Sequence, residues 1–529
     1  MKKFFFFITI LCFHLSVRAQ HNVVLIIADD LGTDYCGFYE DHADTVALPN
    51  LRLLLDKGIR FQNAMSNPVC SSTRSGILTG RYSFRTGVGN IVGGTGGSGA
   101  LDTSEISIPK LLKIYNPLIG RANIGKWHLE LPMPASNLMA PLALGYEHYE
   151  GPFIGQLPNY YMWTKYTNGI ASMDSNYATS ENVDNAVTWL KTQSSKPVFL
   201  WLAFNAPHTP YHLPPAGLYS DLSLSGSAMD INNNPKKYFK ASLEALDHEI
   251  GRFFDSLKVM NRFDSTDFIF IGDNGNATRV AQIADTNRAK GTIYQYGVHV
   301  PFIVSGPSVK GPNRVSSALV NTADIFATVL ELFGDTTWST YIPSSKSVDS
   351  KSLLPIIENS SSSVRPWSFT EIFKLTSDSS DGKAMRNDDY KLIRFDYGKE
   401  EFYNLQVDPS ETNDLLLTAL SATDIDNYNY LCSEMTMLVG SGTFCKDNVG
   451  IGQPLKESHD WQVYPNPFSS HLFVSTSYTD QSFELSNIYG QLVYQGTAIE
   501  AEDFSNLIRG VYFLKRKGQE QQVFILTKQ

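Results

Sequence analysis

Six short groups of polar residues stand where they can do chemistry. Asp29 and Asp30 follow directly on an apolar run, NVVLIIA at residues 22–28, and Asp273 and Asn274 follow a second run, DFIFI at 267–271. Two oxygen-rich pairs on strand ends can converge on one hard cation. Carboxylate and amide oxygens suit calcium, whereas zinc normally takes His or Cys. An isolated acidic pair also serves as a simple turn former. Cys70 opens Cys70-Ser71-Ser72-Thr73-Arg74, ahead of a run ending Leu78-Thr79-Gly80-Arg81. Ser and Thr start helices, and a group at a helix N-terminus faces the positive end of the dipole, which suits an anionic ligand. A lone cysteine is otherwise a small buried hydrophobe. Lys126 and His128 lie in Gly125-Lys126-Trp127-His128, His208 in Ala206-Pro207-His208-Thr209-Pro210, and Lys290 opens the segment 290–301. Lysines hold anions, and histidines move protons near neutral pH. The prolines beside His208 restrict its backbone.

These groups need a scaffold, and the apolar runs supply one. Residues 22–28, 196–204, 267–271 and 300–304 are continuous and rich in branched or aromatic side chains, as expected of strands buried on both faces. Between them lie helical patterns. In the clearest, residues 236–260, Phe239, Leu243, Leu246, Ile250, Phe253 and Leu257 recur at alternating spacings of four and three. Strands alternating with helices predict a layered α/β domain with a mainly parallel sheet, and ligands in such folds gather at the carboxyl ends of the strands. Residues 87–100 are glycine-rich but lack the Gly-Lys-Ser/Thr ending of a phosphate loop, so a mobile surface loop is expected there.

Length and composition set the frame. At 529 residues the chain exceeds one ordinary domain, and 42% hydrophobic content provides for a large core. A net charge of −10 makes a general nucleic-acid binder a poor reading, so an anionic substrate must be held by a local basic cluster. Residues 1–19 combine Met1-Lys2-Lys3, an apolar run from Phe4 to Leu15 and a small residue before a plausible cut, the pattern of a secretory signal peptide. The run is shorter than the ~20 residues a membrane span needs, and no other segment is long and apolar enough. Of the five cysteines, Cys432 and Cys445 can pair in an oxidising compartment, and no CxxC pair points to zinc. Residues 446–460 read as a linker. From 461 to 529 the segments are short, alternating and strand-like, with turn residues between them, which predicts a small all-β sandwich without helices.

The motif around Cys70, with Arg74 and the Leu-Thr-Gly-Arg ending in register, resembles the signature of the formylglycine-dependent sulfatases of the alkaline phosphatase superfamily. Asp29, Asp30, Asp273 and Asn274 match the family's calcium site. Gly125-Lys126-Trp127-His128 matches its second signature, and further likeness runs through Leu48-Pro49-Asn50, residues 244–247, 401–405 and 408–412, covering most of 21 to about 440. The resemblance implies that Cys70 is oxidised to formylglycine by a maturation enzyme. One hydroxyl of the hydrated aldehyde then attacks sulfur beside calcium, Arg74 steadies the hydrate, and Lys126 and Lys290 hold sulfate oxygens. His208 or Lys290 protonates the leaving alcohol, and His128 acts as the base that breaks down the covalent intermediate. The tail, with Tyr464-Pro465-Asn466-Pro467-Phe468, Asn487-Ile488-Tyr489-Gly490 and the closing Leu526-Thr527-Lys528-Gln529, resembles the C-terminal sorting domain of the type IX secretion system of Bacteroidetes. This implies export through the periplasm to the cell surface or medium and contact with that machinery.

The chain departs from the family pattern at four places. Ser72 stands two residues after the cysteine where proline or a small residue such as alanine is usual. Gln295 replaces a glutamate, Tyr296 a glycine and His299 an arginine. A sulfated polysaccharide or oligosaccharide is the expected substrate, and the aromatic stretch 151–169, with Tyr160, Tyr161, Trp163 and Tyr166, offers faces for sugar stacking or for plain packing. Phosphonate or phosphodiester hydrolysis on the same scaffold is one alternative. A surface-displayed binder of sulfated glycans is the other, should Cys70 stay a thiol.

Overall fold

The computed structural model describes residues 22–440 and 461–528, apart from 40–41, 95, 194–195, 477–480, 488–489 and 518–522. The expected signal peptide, the linker at 446–460 and Cys445 lie outside the described residues; Cys432 is disulfide-bonded. The chain divides into two compact units, Met1–Met435 and Thr436–Gln529.

The first unit is built on ten strands: β1 (Asn22–Ala28), β2 (Gly58–Met65), β3 (Gly120–Gly125), β4 (His148–Gly151), β5 (Trp163–Thr167), β6 (Ile170–Asp174), β7 (Val198–Ala203), β8 (Thr266–Gly272), β9 (Phe302–Ser305) and β10 (Arg314–Asn321). They form one sheet in the order β10-β2-β9-β8-β1-β7-β3-β4-β5-β6. β1 lies between β7 and β8, parallel to both, and all seven of its residues are buried. Its unbroken apolar run follows from this: Val23, Leu25 and Ile27 enter the core on one face, Val24, Ile26 and Ala28 the core on the other. The expectation of a mainly parallel sheet holds, with one refinement. The run at 300–304 becomes β9, which is antiparallel to both β2 and β8. Near the β6 edge, β5 also pairs antiparallel with both β4 and β6.

The periodic segment at 236–260 is the helix Pro235–Val259, which buries Leu243, Leu246, Ile250, Phe253 and Leu257 in the second core. A smaller antiparallel sheet follows, in chain order: β11 (Ser368–Ile372), β12 (Gly382–Arg386), β13 (Tyr390–Phe395) and β14 (Glu400–Asn404). The glycine-rich stretch is not simply a surface loop. Val88, Asn90, Val92 and Ser98 are buried, and the Val92 N–H donates to Ser71 Oγ at 3.0 Å.

The second unit holds two antiparallel sheets. One pairs β15 (Trp461–Tyr464) with β16 (Phe473–Thr476). The other contains β17 (Phe483–Asn487), β18 (Leu492–Gly496), β19 (Gly510–Arg516) and β20 (Val523–Lys528), in the order β18-β17-β19-β20. Phe468, Leu472, Leu485, Leu514 and Leu526 form its core. A single 3-10 turn, Ile499–Ala501, is an element the sequence pattern did not suggest. No described helix in either unit is long and apolar enough to cross a membrane.

Candidate active site

Register brings the acidic pairs together. Ala28 is the partner of Gly272 across β1 and β8, so Asp29-Asp30 and Asp273-Asn274 leave the sheet side by side. Asp30 sits at φ 62°, a left-handed conformation uncommon for aspartate, and its N–H donates to Asp273 Oδ1 at 3.0 Å. Asn274 Nδ2 donates to Asp30 Oδ1 at 2.8 Å. Two oxygens of this group, Asp29 Oδ1 and Asn274 Oδ1, are buried without a hydrogen-bond partner.

Cys70 begins the helix Cys70–Thr79, every residue of which is buried. Gly80 ends it at φ 68°, and a Cβ there would press on the Phe326 ring at 2.7 Å, which explains the glycine in the Leu-Thr-Gly-Arg motif. Ligating atoms of Asp29, Cys70 and Asp273 all lie within 4.8 Å of one another, as do those of Asp29, Asp30 and His208. Cys70 Sγ is 3.1 Å from His128 Nδ1. Ser71 fixes the approach by donating from its hydroxyl to the His128 carbonyl at 2.8 Å. Ser72 is buried, its hydroxyl donating to the Val69 carbonyl at 3.0 Å.

The bases interlock with the acids. Arg74 donates through Nε and Nη2 to Asp273 Oδ2, at 3.1 and 2.8 Å, and through Nη1 to the Lys126 carbonyl at 3.0 Å. Lys126 Nζ donates to Asp29 Oδ2 at 2.6 Å. Lys290 Nζ is 2.5 Å from Asp30 Oδ1, and His208 Nε2 is 3.6 Å from Asp30 Oδ2. Three acidic side chains thus face Arg74, Lys126 and Lys290. All ten predicted site residues belong to this one constellation.

Burial governs the protonation states. It pushes Asp29 up to about 8, partly offset by Lys126. It would raise Asp30 too, but His208 and Lys290 outweigh it and hold that carboxyl well below its usual range. Burial drives His128 well below 6.5, helped by the charges of Lys126 and Arg74. It also lowers His208 to about 4, against the pull of Asp30. Lys290 is raised because Asp30 and Cys70 overcome its desolvation. Burial pushes the Cys70 thiol up, against the two lysines. The resting cluster therefore holds two neutral imidazoles, a protonated lysine and a protonated thiol.

Several supporting residues were missed by sequence reasoning. Gly155 is one: a Cβ there would meet the His128 ring at 2.2 Å, so only glycine lets that ring reach Cys70. Its one sequence signal was a glycine inside the aromatic stretch. Tyr160 is another. Buried and stacked on His212 at 3.8 Å, it donates to the carbonyls of Asn205 and His208, at 2.7 and 2.8 Å. Packing, not sugar stacking, thus accounts for Tyr160 and for buried Trp163, whereas Tyr161 is exposed. Asn276 and Tyr296 form a third support. The Tyr296 hydroxyl donates to Asp34 at 2.5 Å, Asn276 also bonds Asp34, and the Lys290 N–H donates to the Asn276 carbonyl at 3.0 Å.

Comparison with known proteins agrees with this arrangement. The family model described as Sulfatase matches residues 21–335, that of N-sulphoglucosamine sulphohydrolase, C-terminal, matches 288–429, and that of the secretion system C-terminal sorting domain matches 462–526. The last marks the chain for export to the cell surface or medium. Arylsulfatase J of Mus musculus is 26% identical over 329 residues, 59% of this chain and 52% of its own length, so the match spans about half of that relative. Arylsulfatase of Klebsiella aerogenes is 23% identical over 67% of this chain and 94% of its own. Among solved structures, the PsFucS1 sulfatase from Pseudoalteromonas sp. aligns with TM-score 0.60 and 21% identity, over 79% of this chain and 89% of that one. Ps i-CgsB in complex with k-i-k-neocarrahexaose aligns with TM-score 0.65 and 23% identity, over 79% and 92%. These likenesses establish the fold.

Proposed function

The chain belongs to the sulfatase family, and from that premise we propose that it is an exported sulfuric ester hydrolase. Its substrate is a sulfated polysaccharide or oligosaccharide, and it works through a formylglycine made from Cys70 and a bound calcium ion. The observation that carries the reading is that Cys70, 3.1 Å from His128, also lies in one 4.8 Å group with Asp29 and Asp273. Domains at 20–445 and 461–529, joined by a linker at 446–460, are in keeping with the two compact units and with the separate family matches.

The donor set fits calcium. Asp29, Asp30, Asp273 and Asn274 offer hard oxygens, and two of them, Asp29 Oδ1 and Asn274 Oδ1, are buried without donors, a costly state that a cation relieves. When bound, calcium supplies positive charge for the sulfate oxygens, and the hydrated aldehyde supplies the attacking hydroxyl. An unmodified thiol fits this role poorly, since burial keeps Cys70 protonated.

The chain's own groups do the rest. Arg74, anchored on Asp273, steadies position 70. Lys126 and Lys290 face the cluster as ammonium donors for sulfate oxygens. Between the two candidate acids, Lys290 holds a proton to give to the leaving oxygen, while neutral His208 is a hydrogen-bond partner there. Neutral His128 can accept a proton from a hydroxyl at position 70. The glycan substrate is supported by export and by the neocarrahexaose bound in the structurally similar Ps i-CgsB.

The test is co-expression with a formylglycine-generating enzyme, mass spectrometry of the peptide spanning Cys70, and assay of sulfate release from sulfated polysaccharides. Aldehyde at position 70 and release abolished by Cys70→Ala are expected. An intact thiol in a protein that still binds sulfated oligosaccharide would turn the reading to a glycan binder. Faster turnover of an aryl phosphonate than of an aryl sulfate would turn it to the sister hydrolases.

A further inference from the structure

Apart from the catalytic cluster, the first unit contains a cavity of about 850 Å³ lined by none of the ten site residues. Its wall includes Gln295, Tyr296 and His299, the three positions of the 290–301 segment where the chain departs from the family pattern. It also includes Arg386, which is 5% exposed. Arg386 donates from Nε to the Asn387 carbonyl at 3.0 Å and from Nη2 to the Asp388 carbonyl at 3.1 Å, and among the described residues no carboxylate lies within ion-pair distance of it. A buried guanidinium without a counter-ion is strongly disfavoured. Burial lowers its affinity for its proton, to a pKa of about 10, and Glu411, Asp388 and Asp389 only partly oppose this.

Two of the neighbouring acids are engaged elsewhere, while Asp388 and Asp389 are exposed to solvent. Glu411 pairs with buried Lys391 at 2.7 Å and accepts the Gln295 N–H at 2.6 Å. Asp285 lies 3.4 Å from Arg288. Position 295, an acid in the family pattern, is here a neutral amide whose Oε1 is buried without a donor. Tyr294 and Tyr296 add aromatic surface to the same wall.

We propose that this cavity is a second binding site for a sulfate group carried on a saccharide, with Arg386 as its counter-charge, distinct from the site of hydrolysis. The inference rests on the glycan-sulfatase reading for its choice of ligand. An arginine fork matches the oxygens of a sulfate as it does those of a phosphate, and a saccharide ring can lie against the tyrosines and side-chain amides. Such a site holds a polymeric substrate at a second point along its length.

The test uses the full chain carrying Cys70→Ala, which cannot turn substrate over, so binding is read whether or not the wild type proves to be a hydrolase. A sulfated neocarrahexaose, the same saccharide desulfated, and inorganic sulfate are each titrated by calorimetry. Two classes of site for the sulfated saccharide are expected, and Arg386→Gln should weaken one of them about tenfold or more. Gln295→Glu, which restores the family's acid and brings negative charge into the cavity, should do the same without touching Arg386. It also keeps the test open if Arg386→Gln fails to fold. Equal binding of the desulfated saccharide, or no change in either variant, overturns the proposal. Inorganic sulfate matching the saccharide in affinity overturns the saccharide and leaves a free-anion site. In the active wild-type background, Arg386→Gln should raise KM on the polysaccharide while leaving kcat/KM on a small aryl sulfate unchanged. An equal loss on both substrates contradicts a second site.

Discussion

The catalytic cluster and the cavity beside Arg386 bury charge in opposite ways. In the cluster, Arg74, Lys126 and Lys290 each meet an acidic side chain within 3 Å. In the cavity, the hydrogen bonds of Arg386 among the described residues go to backbone carbonyls. Both places are buried, but direct ion pairs compensate the charge in the cluster, whereas acids at longer range only partly compensate Arg386. The contrast shows what each region lacks. The cluster's deficit is a cation for two orphaned oxygens, and the cavity's is an anion for one guanidinium.

The largest effect should come from unbalancing the cluster. Asp273→Ala leaves Arg74 buried beside a more distant Asp29 and should cost about 3–5 kcal/mol in denaturant unfolding, along with all sulfate release. Little change in stability would mean the balance is not what holds the cluster. Withdrawing calcium comes next. A chelator should lower Tm, and saturating calcium, at about 100 times its dissociation constant, should restore on the order of 2.7 kcal/mol. Asp30→Asn should blunt that response, read by calorimetric calcium titration.

Gln295→Glu sharpens the contrast from the other side. Bringing an acid into the cavity with Arg386 should raise stability by about 1 kcal/mol, where removing an acid from the cluster lowers it. A drop in Tm would break the comparison. Glu371 offers the smallest and most specific test. This acid has a remedy that arginine lacks: it keeps its proton. Burial raises it to about 8 from 4.5, with the Phe84 N–H donating to Oε1 at 2.8 Å. Between those values the folded state binds more protons than the unfolded one. Its contribution is therefore full below about 4.5 and is lost as pH rises toward 8. Glu371→Gln should flatten the fall of stability across that window by up to about 1.4 kcal/mol per pH unit. An unchanged slope would show that Glu371 is ionised while buried.

Much of the site was legible because its residues sit where the chain's pattern changes. Asp29, Asp30, Asp273 and Asn274 announce themselves as polar tips on unbroken apolar runs, and those runs became β1 and β8 almost residue for residue. The helix at 235–259 was equally clear, since a period near 3.6 sustained over six apolar positions has few other outcomes. The direction of β9 was not legible, because an apolar run reads the same in either sense. Neither was the partial burial of residues 87–100, where glycines look like a surface loop until Ser71 is seen to bond to Val92. Gly155 and Arg386 were not singled out by their local sequence, and Tyr160 was legible only as an aromatic that could stack or pack; their importance comes from what lies against them.

Taken alone, the chain determined which side chains are candidates for chemistry, which segments are strands or helices, and that the tail is a separate β unit. Those features are local, written in residue type and in spacings of two, three and four. Tertiary structure alone decided that Ala28 stands opposite Gly272, so that two distant acidic pairs share one pocket. It also decided that Asp29 is raised while Asp30 is lowered, although they are adjacent in sequence. The physical reason is that desolvation and charge interaction depend on distance in space, and only packing fixes those distances.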